Sequence, residues 1–256
     1  MRRVLIFLLI AAGLGLPVFI GVSASYPFDP VLENTERFDR HYRVTGAFPF
    51  LTSYLLFTPT VHDANRSYPL VLALHGGFKR SAGAFVAVQP QFQERQPAYV
   101  LMPMALLGEA WAVPGPGNRG VVPTPSLRLA VEILRDVVRD HPIDGNRIYV
   151  TGSSNGAVGT FAALTHYRGL FAAGVAVNGA WPTSGAPALS RTKLAIYHGS
   201  EDPMASVDHM RGLVDAIRAA GGNPEFVEMA GIGHNSFPAY WNTALWRWLF
   251  AQRLTR

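Results

Sequence analysis

Hydrophobic positions fall into three patterns along the chain. Residues 4 to 22 form a run of 19 positions without a charge. Further on come short, wholly apolar runs: Pro69 to Leu74, Tyr99 to Met102, Ile148 to Val150, Ala172 to Val177 and Lys193 to Tyr197 after its first residue. Runs of this length with no polar alternation predict strands covered on both faces. Between them lie stretches with helical spacing. Residues 127, 130, 131, 134, 137 and 138 are apolar, which predicts an amphipathic helix over Leu127 to Arg139, opened by Pro125 and Ser126. The same periodicity predicts helices over Ala82 to Glu94, Ala157 to Leu164, Val207 to about Ala220 and Trp241 to Leu254. His41 to Thr45, Thr52 to Phe57 and Glu225 to Met229 complete the predicted strands, and Pro142 to Asn146 reads as a turn.

Buried strands alternating with helices, after two strands joined by a short Gly/Pro turn, predict an α/β fold. Its central sheet is mostly parallel and covered by helices on both faces. Residues 105 to 124 form a Pro- and Gly-rich connection around Trp111, long enough to act as a lid or pocket wall. There is no internal repeat and no second hydrophobic unit, so residues 25–256 are expected to form one catalytic domain.

The first apolar run has a different meaning. Arg2 and Arg3 precede it, and Ser23, Ala24 and Ser25 follow. Positive start, apolar middle and small residues at the end describe a secretory signal with cleavage after Ala24. Its 19 positions also suffice for a membrane anchor. Either way residues 1–24 are a leader and the remainder is expected to be exported, to a periplasm or the medium. Losing Arg2 and Arg3 with the leader lowers the formal charge from +5 to +3. The arginines are scattered and not interleaved with aromatics, so no nucleic-acid partner is implied. Without cysteine there is no disulfide, thiol nucleophile or thiolate metal site. No His-Glu-x-x-His or phosphate-loop pattern occurs, so neither metal nor nucleotide cofactor is expected.

In doubly covered parallel sheets, ligand sites lie beyond the carboxyl ends of the strands. Those ends here carry His75-Gly76-Gly77, the pentapeptide Gly152-Ser153-Ser154-Asn155-Gly156, the segment His198 to Asp202, and Gly231-Ile232-Gly233-His234. A glycine pair, a serine, an acid and a histidine thus reach successive strand ends. The Gly-x-Ser-x-Gly segment lies between a strand and a helix, the context of a nucleophile elbow; elsewhere it would be an ordinary turn. Glu201, Asp202 and Asp208 all compete for the acid role. His75 and His198 suit backbone hydrogen bonding at the strand ends, and His209 suits an exposed helix face.

With the order Ser, Asp, His, the chain from about 41 to 254 resembles the α/β-hydrolase superfamily. Its likeness is to exported serine esterases of the polyhydroxybutyrate-depolymerase-like and prolyl-oligopeptidase-like groups. Those share Leu-His-Gly-Gly, Gly-x-Ser-x-Gly, His-Gly-x-x-Asp and Gly-x-Gly-His segments, here Leu74 to Gly77, Gly152 to Gly156, His198 to Asp202 and Gly231 to His234. The resemblance implies Ser154 as nucleophile, His234 as base and Asp202 as the acid that orients it. It implies an oxyanion hole from the backbone N–H groups of Asn155 and Gly77. Phe78 departs from the pattern, standing where related esterases often carry a small residue. Trp111, Phe78 and Trp181 are candidate walls of an acyl pocket. The implied substrate is a small-molecule or polymeric ester, with no cofactor; a prolyl-oligopeptidase-type peptidase, a polyester depolymerase and a catalytically silent binding protein of the same fold are the alternatives. Oligomeric state is open.

Overall fold

The computed structural model describes residues 9–10, 18–19, 37–45, 50–60, 63, 65–77, 81–106, 108–116 and 120–254. Apart from two short paired strands, β1 (Leu9–Ile10) and β2 (Val18–Phe19), the leader expected over 1–24 lies outside those residues, as does Phe78. Among the described residues no helix is long and apolar enough to cross a membrane.

The remaining strands are β3 (Asp39–Thr45), β4 (Phe50–Phe57), β5 (Tyr68–Leu74), β6 (Tyr99–Pro103), β7 (Ala112–Pro114), β8 (Val121–Pro123), β9 (Ile143–Ser153), β10 (Ala173–Val177), β11 (Leu194–Gly199) and β12 (Glu225–Met229). The helices are α1 (Ala82–Ala87), α2 (Pro90–Gln93), α3 (Pro125–Asp140), α4 (Asn155–His166), α5 (Ala186–Leu189), α6 (Val207–Ala219), α7 (Phe237–Trp241) and α8 (Thr243–Ala251). Eight strands form one sheet in the order β12-β11-β10-β9-β5-β6-β4-β3. From β12 to β6 neighbours run parallel, and β4 and β3 are antiparallel at the far edge. β7 and β8 pair separately as a small hairpin within the long Pro/Gly connection.

Strand side chains alternate between the two faces, and both faces are dry. Leu70, Leu72 and Leu74 of β5 join Ile148 and Val150 of β9 in one core, under α3, α4, α5 and α6. Val71 and Ala73 join Tyr149, Val175 and Tyr197 in the other, under α1, α2, α7 and α8. Two-sided burial is why β5, β6, β10 and β11 read as continuous apolar runs; every residue of the four is buried. The edge strand β12 has solvent on one side and keeps two glutamates.

Three expected elements differ. The helix expected over 82–94 is two short helices. Ser81 Oγ accepts the Ala84 N–H to cap α1, and Gln89, held extended ahead of Pro90, interrupts the path before α2. The C-terminal helix expected over 241–254 is α8, started by Asn242, whose Oδ1 accepts the Ala244 N–H; the short α7 before it was not expected. The turn expected over 142–146 is an irregularity inside β9, which pairs Ile143 with Tyr68 and then resumes at Ile148 opposite Leu70. Asp144 stabilises the bulged segment, accepting from Asn146 N and from Arg147 Nε at 2.7 Å. Burial pushes the Asp144 carboxyl up, and these hydrogen bonds with the nearby arginines more than offset it, leaving a net downward shift.

At the centre of the sheet, β9 turns into α4 against the end of β5. An ideal Cβ on Gly152 would lie 2.3 Å from Gly156 O, and one on Gly156 would lie 2.1 Å from Leu74 O. No side chain fits at either place, because the obstacle is backbone. One turn along α4, a Cβ on Gly159 would stand 2.7 Å from Trp111 Cβ. Behind the turn, Thr151 Oγ1 donates to Val175 O at 2.9 Å and so accepts from the buried Tyr240 hydroxyl, also at 2.9 Å, fastening α7 to the elbow strand.

Two stability predictions follow from this packing. Asn242→Ala removes a helix cap and should cost about 1 kcal/mol in urea unfolding. Gly156→Ala forces a methyl into the Leu74 carbonyl and should cost about 1–3 kcal/mol or more, whereas Gly145→Ala, with nothing within 4 Å of the added carbon, should be near neutral. Equal stability of the two glycine variants would contradict the backbone contact.

Candidate active site

The elbow places Ser154 at the carboxyl end of β9 with φ 56° and ψ −121°. A positive φ is costly for a residue with a Cβ, and persists only where surrounding contacts impose it. Here they do: Ser154 N donates to Val177 O at 3.0 Å, and Ser154 O accepts from Ala157 N and Val158 N at the start of α4. The side chain is half-buried and makes no capping bond to its own helix. Asn155 follows as the first residue of α4, whose leading N–H groups lack intrahelical acceptors and form the positive end of the helix dipole.

The glycine pair stands at the neighbouring strand end. His75 Nδ1 donates to Gly76 O at 2.8 Å and its Nε2 accepts the Ala105 N–H at 3.1 Å, so this histidine is used up in backbone contacts. A Cβ on Gly156 would come within 3.0 Å of His75 O, so the end of β5 abuts the first turn of α4. Gly77 is two residues further on, exposed, with open space where a Cβ would stand.

The acid and the histidine arrive from β11 and β12. Asp202 has its side chain fully buried. Its Oδ1 accepts from Met204 N at 2.8 Å and Ala205 N at 3.0 Å, and its Oδ2 lies 2.7 Å from His234 Nδ1. A carboxylate only accepts, so His234 carries its proton on Nδ1 and presents a lone pair on Nε2. Burial pushes the Asp202 carboxyl up, but the bonds from Ala205, His234 and Met204 outweigh it and hold the group below the ordinary aspartate range. Of the competing acids, Glu201 is exposed and Asp208 is exposed and paired with Arg211, whereas Asp202 is bonded to His234. His198 is buried with Nε2 on Ala205 O at 2.8 Å, and His209 is exposed with Nε2 on Trp181 O at 2.9 Å.

The two loops are laced together. Ser200 N donates to Met229 O and Glu201 N to Ile232 O, each at 3.0 Å, while Ser200 Oγ accepts from Gly231 N at 2.9 Å. Gly199 is required by contact, since a Cβ there would lie 2.3 Å from Ile232 O. Gly231 is required by conformation, with φ 69°. Asn178, just past β10, ties this pair of loops to the elbow side and was not singled out from the sequence. Its only sequence trace is its place between a buried strand and a glycine.

Trp111 corrects an expectation. It is fully buried, not a pocket wall: its Nε1 donates to His75 O at 2.8 Å and its ring lies 4.8 Å from the His75 ring. A tryptophan in a long Pro/Gly connection looks available, but here it wedges that connection against α4. Trp181 is also buried, packed on Phe161. Among the described residues no group of three His, Asp or Glu side chains could hold a metal ion.

Comparisons with known proteins agree with this architecture. Residues 126–244 match the phospholipase/carboxylesterase family, a span that contains Ser154, Asp202 and His234 but begins after β5 and Gly77. Poly(3-hydroxyalkanoate) depolymerase C of Paucimonas lemoignei is 30% identical over 132 residues, which are 49% of this chain and 30% of that protein. The crystal structure of a thermostable esterase superposes with a TM-score of 0.78 at 28% identity, over 86% of this chain and 64% of that one. An acylaminoacyl peptidase complexed with a chloromethyl ketone superposes at 0.63 with 14% identity, over 86% of this chain and 42% of its own, a likeness of fold alone. This chain therefore spans under a third of the depolymerase and just under two thirds of the esterase. Sheet order, elbow and matches together show an α/β-hydrolase fold, similar to the phospholipase/carboxylesterase family over residues 126–244.

Proposed function

We propose that this protein is a serine hydrolase that cleaves carboxylic esters through a covalent acyl-enzyme. The observation that carries the reading is the buried Asp202–His234 pair at 2.7 Å, delivered to the same sheet edge as a serine held at positive φ. Serine hydroxyl is a weak nucleophile near neutral pH and needs an adjacent base. In this reading Ser154 Oγ attacks the ester carbonyl carbon while His234 Nε2 takes its proton. Asp202 keeps the imidazole in the Nδ1–H tautomer and stabilises the imidazolium. The N–H groups of Asn155 and Gly77 receive the oxyanion, where each donor is worth about 10²–10³ in rate. Collapse of the tetrahedral intermediate breaks the bond to the alcohol oxygen, which leaves with the proton from His234. A water molecule then repeats the sequence on the acyl-enzyme, releasing the acid and restoring Ser154.

The esterase match at 28% identity and the phospholipase/carboxylesterase match favour an ester over a peptide, since the peptidase likeness is of fold alone. A polyester substrate is the second reading, favoured by the match to a poly(3-hydroxyalkanoate) depolymerase. We further place residues 25–256 as one catalytic unit, exported by the leader at 1–24, on the leader's charge and hydropathy pattern.

Ser154→Ala should lower kcat on a short-chain aryl ester by at least about 10³-fold and abolish labelling by a fluorophosphonate. Full activity in that variant would exclude Ser154 as nucleophile. Rates on aryl esters of increasing acyl length, beside a polyester film, separate the two substrate readings. Asp202→Asn should lower kcat about 10²–10⁴-fold at neutral pH by losing the tautomer control. It should also show in stability. Because folding lowers the Asp202 pKa from 3.8, its ionised form favours the native state. That contribution is complete above the unfolded value and disappears as pH falls through the lower folded one. The stability gap between wild type and Asp202→Asn should therefore be full at neutral pH and close in acid below about 3.8. A gap that widens in acid would contradict the lowered pKa.

A further inference from the structure

Asn178 is a buried polar residue, 2% exposed, at φ 50° directly after β10. Asparagine tolerates that backbone region, but glycine tolerates it better, so conformation alone does not call for this side chain. The side chain amide is engaged at both ends. Its Oδ1 accepts the Gly199 N–H at 3.0 Å, and because a peptide N–H only donates, the amide orientation is fixed. Nδ2 then faces Gly233 O at 3.4 Å. The backbone N–H of Asn178 donates to Tyr197 O at 2.9 Å, and the carbonyl of the preceding residue, Val177, accepts from Ser154 N at 3.0 Å. One residue is thereby bonded to the loop that leads to Asp202 and the loop that holds His234, and is adjacent in sequence to the anchor of the elbow.

The Gly233 carbonyl is a sensitive point to hold. It also accepts the Asn235 N–H at 2.8 Å, an i to i+2 bond that closes a three-residue turn with His234 at its centre. Rotating that carbonyl rotates the turn and swings the imidazole. The same carbonyl approaches β11 so closely that a Cβ on Gly199 would lie 2.4 Å from it. Beside the Asp202–His234 bond and the Ser200 contacts, this amide is a further polar tie between the two loops.

We propose that Asn178 is a positioning residue that sets the His234 imidazole against Asp202 and Ser154 by clamping Gly199 N to Gly233 O. This rests on the serine-hydrolase reading above. A misplacement of about 1 Å from a change outside the chemistry can cost about 10²-fold in rate, which is the scale at issue.

The test compares wild type with Asn178→Gly, which suits the backbone but removes the clamp, and Asn178→Asp, which keeps the acceptor for Gly199 N and loses the donor to Gly233 O. Both variants are expected to fold, with kcat on an aryl ester down about 10–100-fold and KM within about twofold. In ¹H NMR the downfield His234 Nδ1–H resonance should shift or broaden in both. A kcat equal to wild type in the folded variants, with that resonance unmoved, overturns the proposal. If Asn178→Gly does not fold, Asn178→Asp decides on the same two readouts. If wild type neither turns over the ester nor reacts with a fluorophosphonate, the hydrolase reading fails by itself, and the resonance still decides whether Asn178 places His234.

Discussion

The carboxyl edge of this sheet is organised by how closely the first turn of α4 approaches the end of β5. The Gly156 Cα lies so near the Leu74 carbonyl that a methyl would stand 2.1 Å from it, and Gly152 faces Gly156 as tightly. Backbone cannot move aside as a flexible side chain can, so the contact sets the path from strand to helix. That path leaves Ser154 at positive φ, projecting from the turn. The same approach sets the end of β5 beside the amino end of α4, which is where the proposed oxyanion donors Gly77 and Asn155 arise. Trp111 closes the arrangement from the far side, packed on Gly159 and bonded to the His75 carbonyl.

A second set of constraints holds Asp202 against His234 and joins their loops to the elbow side of the sheet. The strands β9 to β12 are consecutive neighbours, so their ends lie side by side. Parallel pairing alone leaves loop conformation undetermined, and hydrogen bonds supply the rest. Ser154 N to Val177 O, Asn178 to Gly199 and Gly233, and Ser200 to Met229 and Gly231 connect the elbow, the acid loop and the histidine loop in one polar sequence. From beneath, the Tyr240–Thr151 bond links α7, which follows the histidine loop, to the elbow strand. The Asn178–Gly199 bond among them is buried, where a polar group stabilises the fold only when its partner is in place.

Much of this was legible in the chain, for physical reasons that also mark where legibility ends. Strands β5, β6, β10 and β11 could be found because burial on both faces removes polar residues from them. Residues at strand ends could be grouped because a parallel sheet aligns those ends. The helix break at Pro90 was harder to place, since α1 and α2 pack into the same core and the apolar spacing runs on across the break. Contacts distant in sequence left no trace. Nothing local ties Trp111 to the His75 carbonyl or Tyr240 to Thr151, and Trp111 therefore read as a pocket wall. Asn178 is the clearest case, because its role comes from two backbone groups, at Gly199 and Gly233, whose residue types reveal nothing about it.

The most direct measurement is peptide mapping by mass spectrometry after reaction of the intact protein with a fluorophosphonate, repeated on His234→Ala. The account predicts a single phosphonyl adduct on the peptide bearing Ser154, formed stoichiometrically in wild type and at least about 10³-fold more slowly without the imidazole. An adduct on another residue, or labelling of Ser154 at the same rate in both proteins, would contradict it.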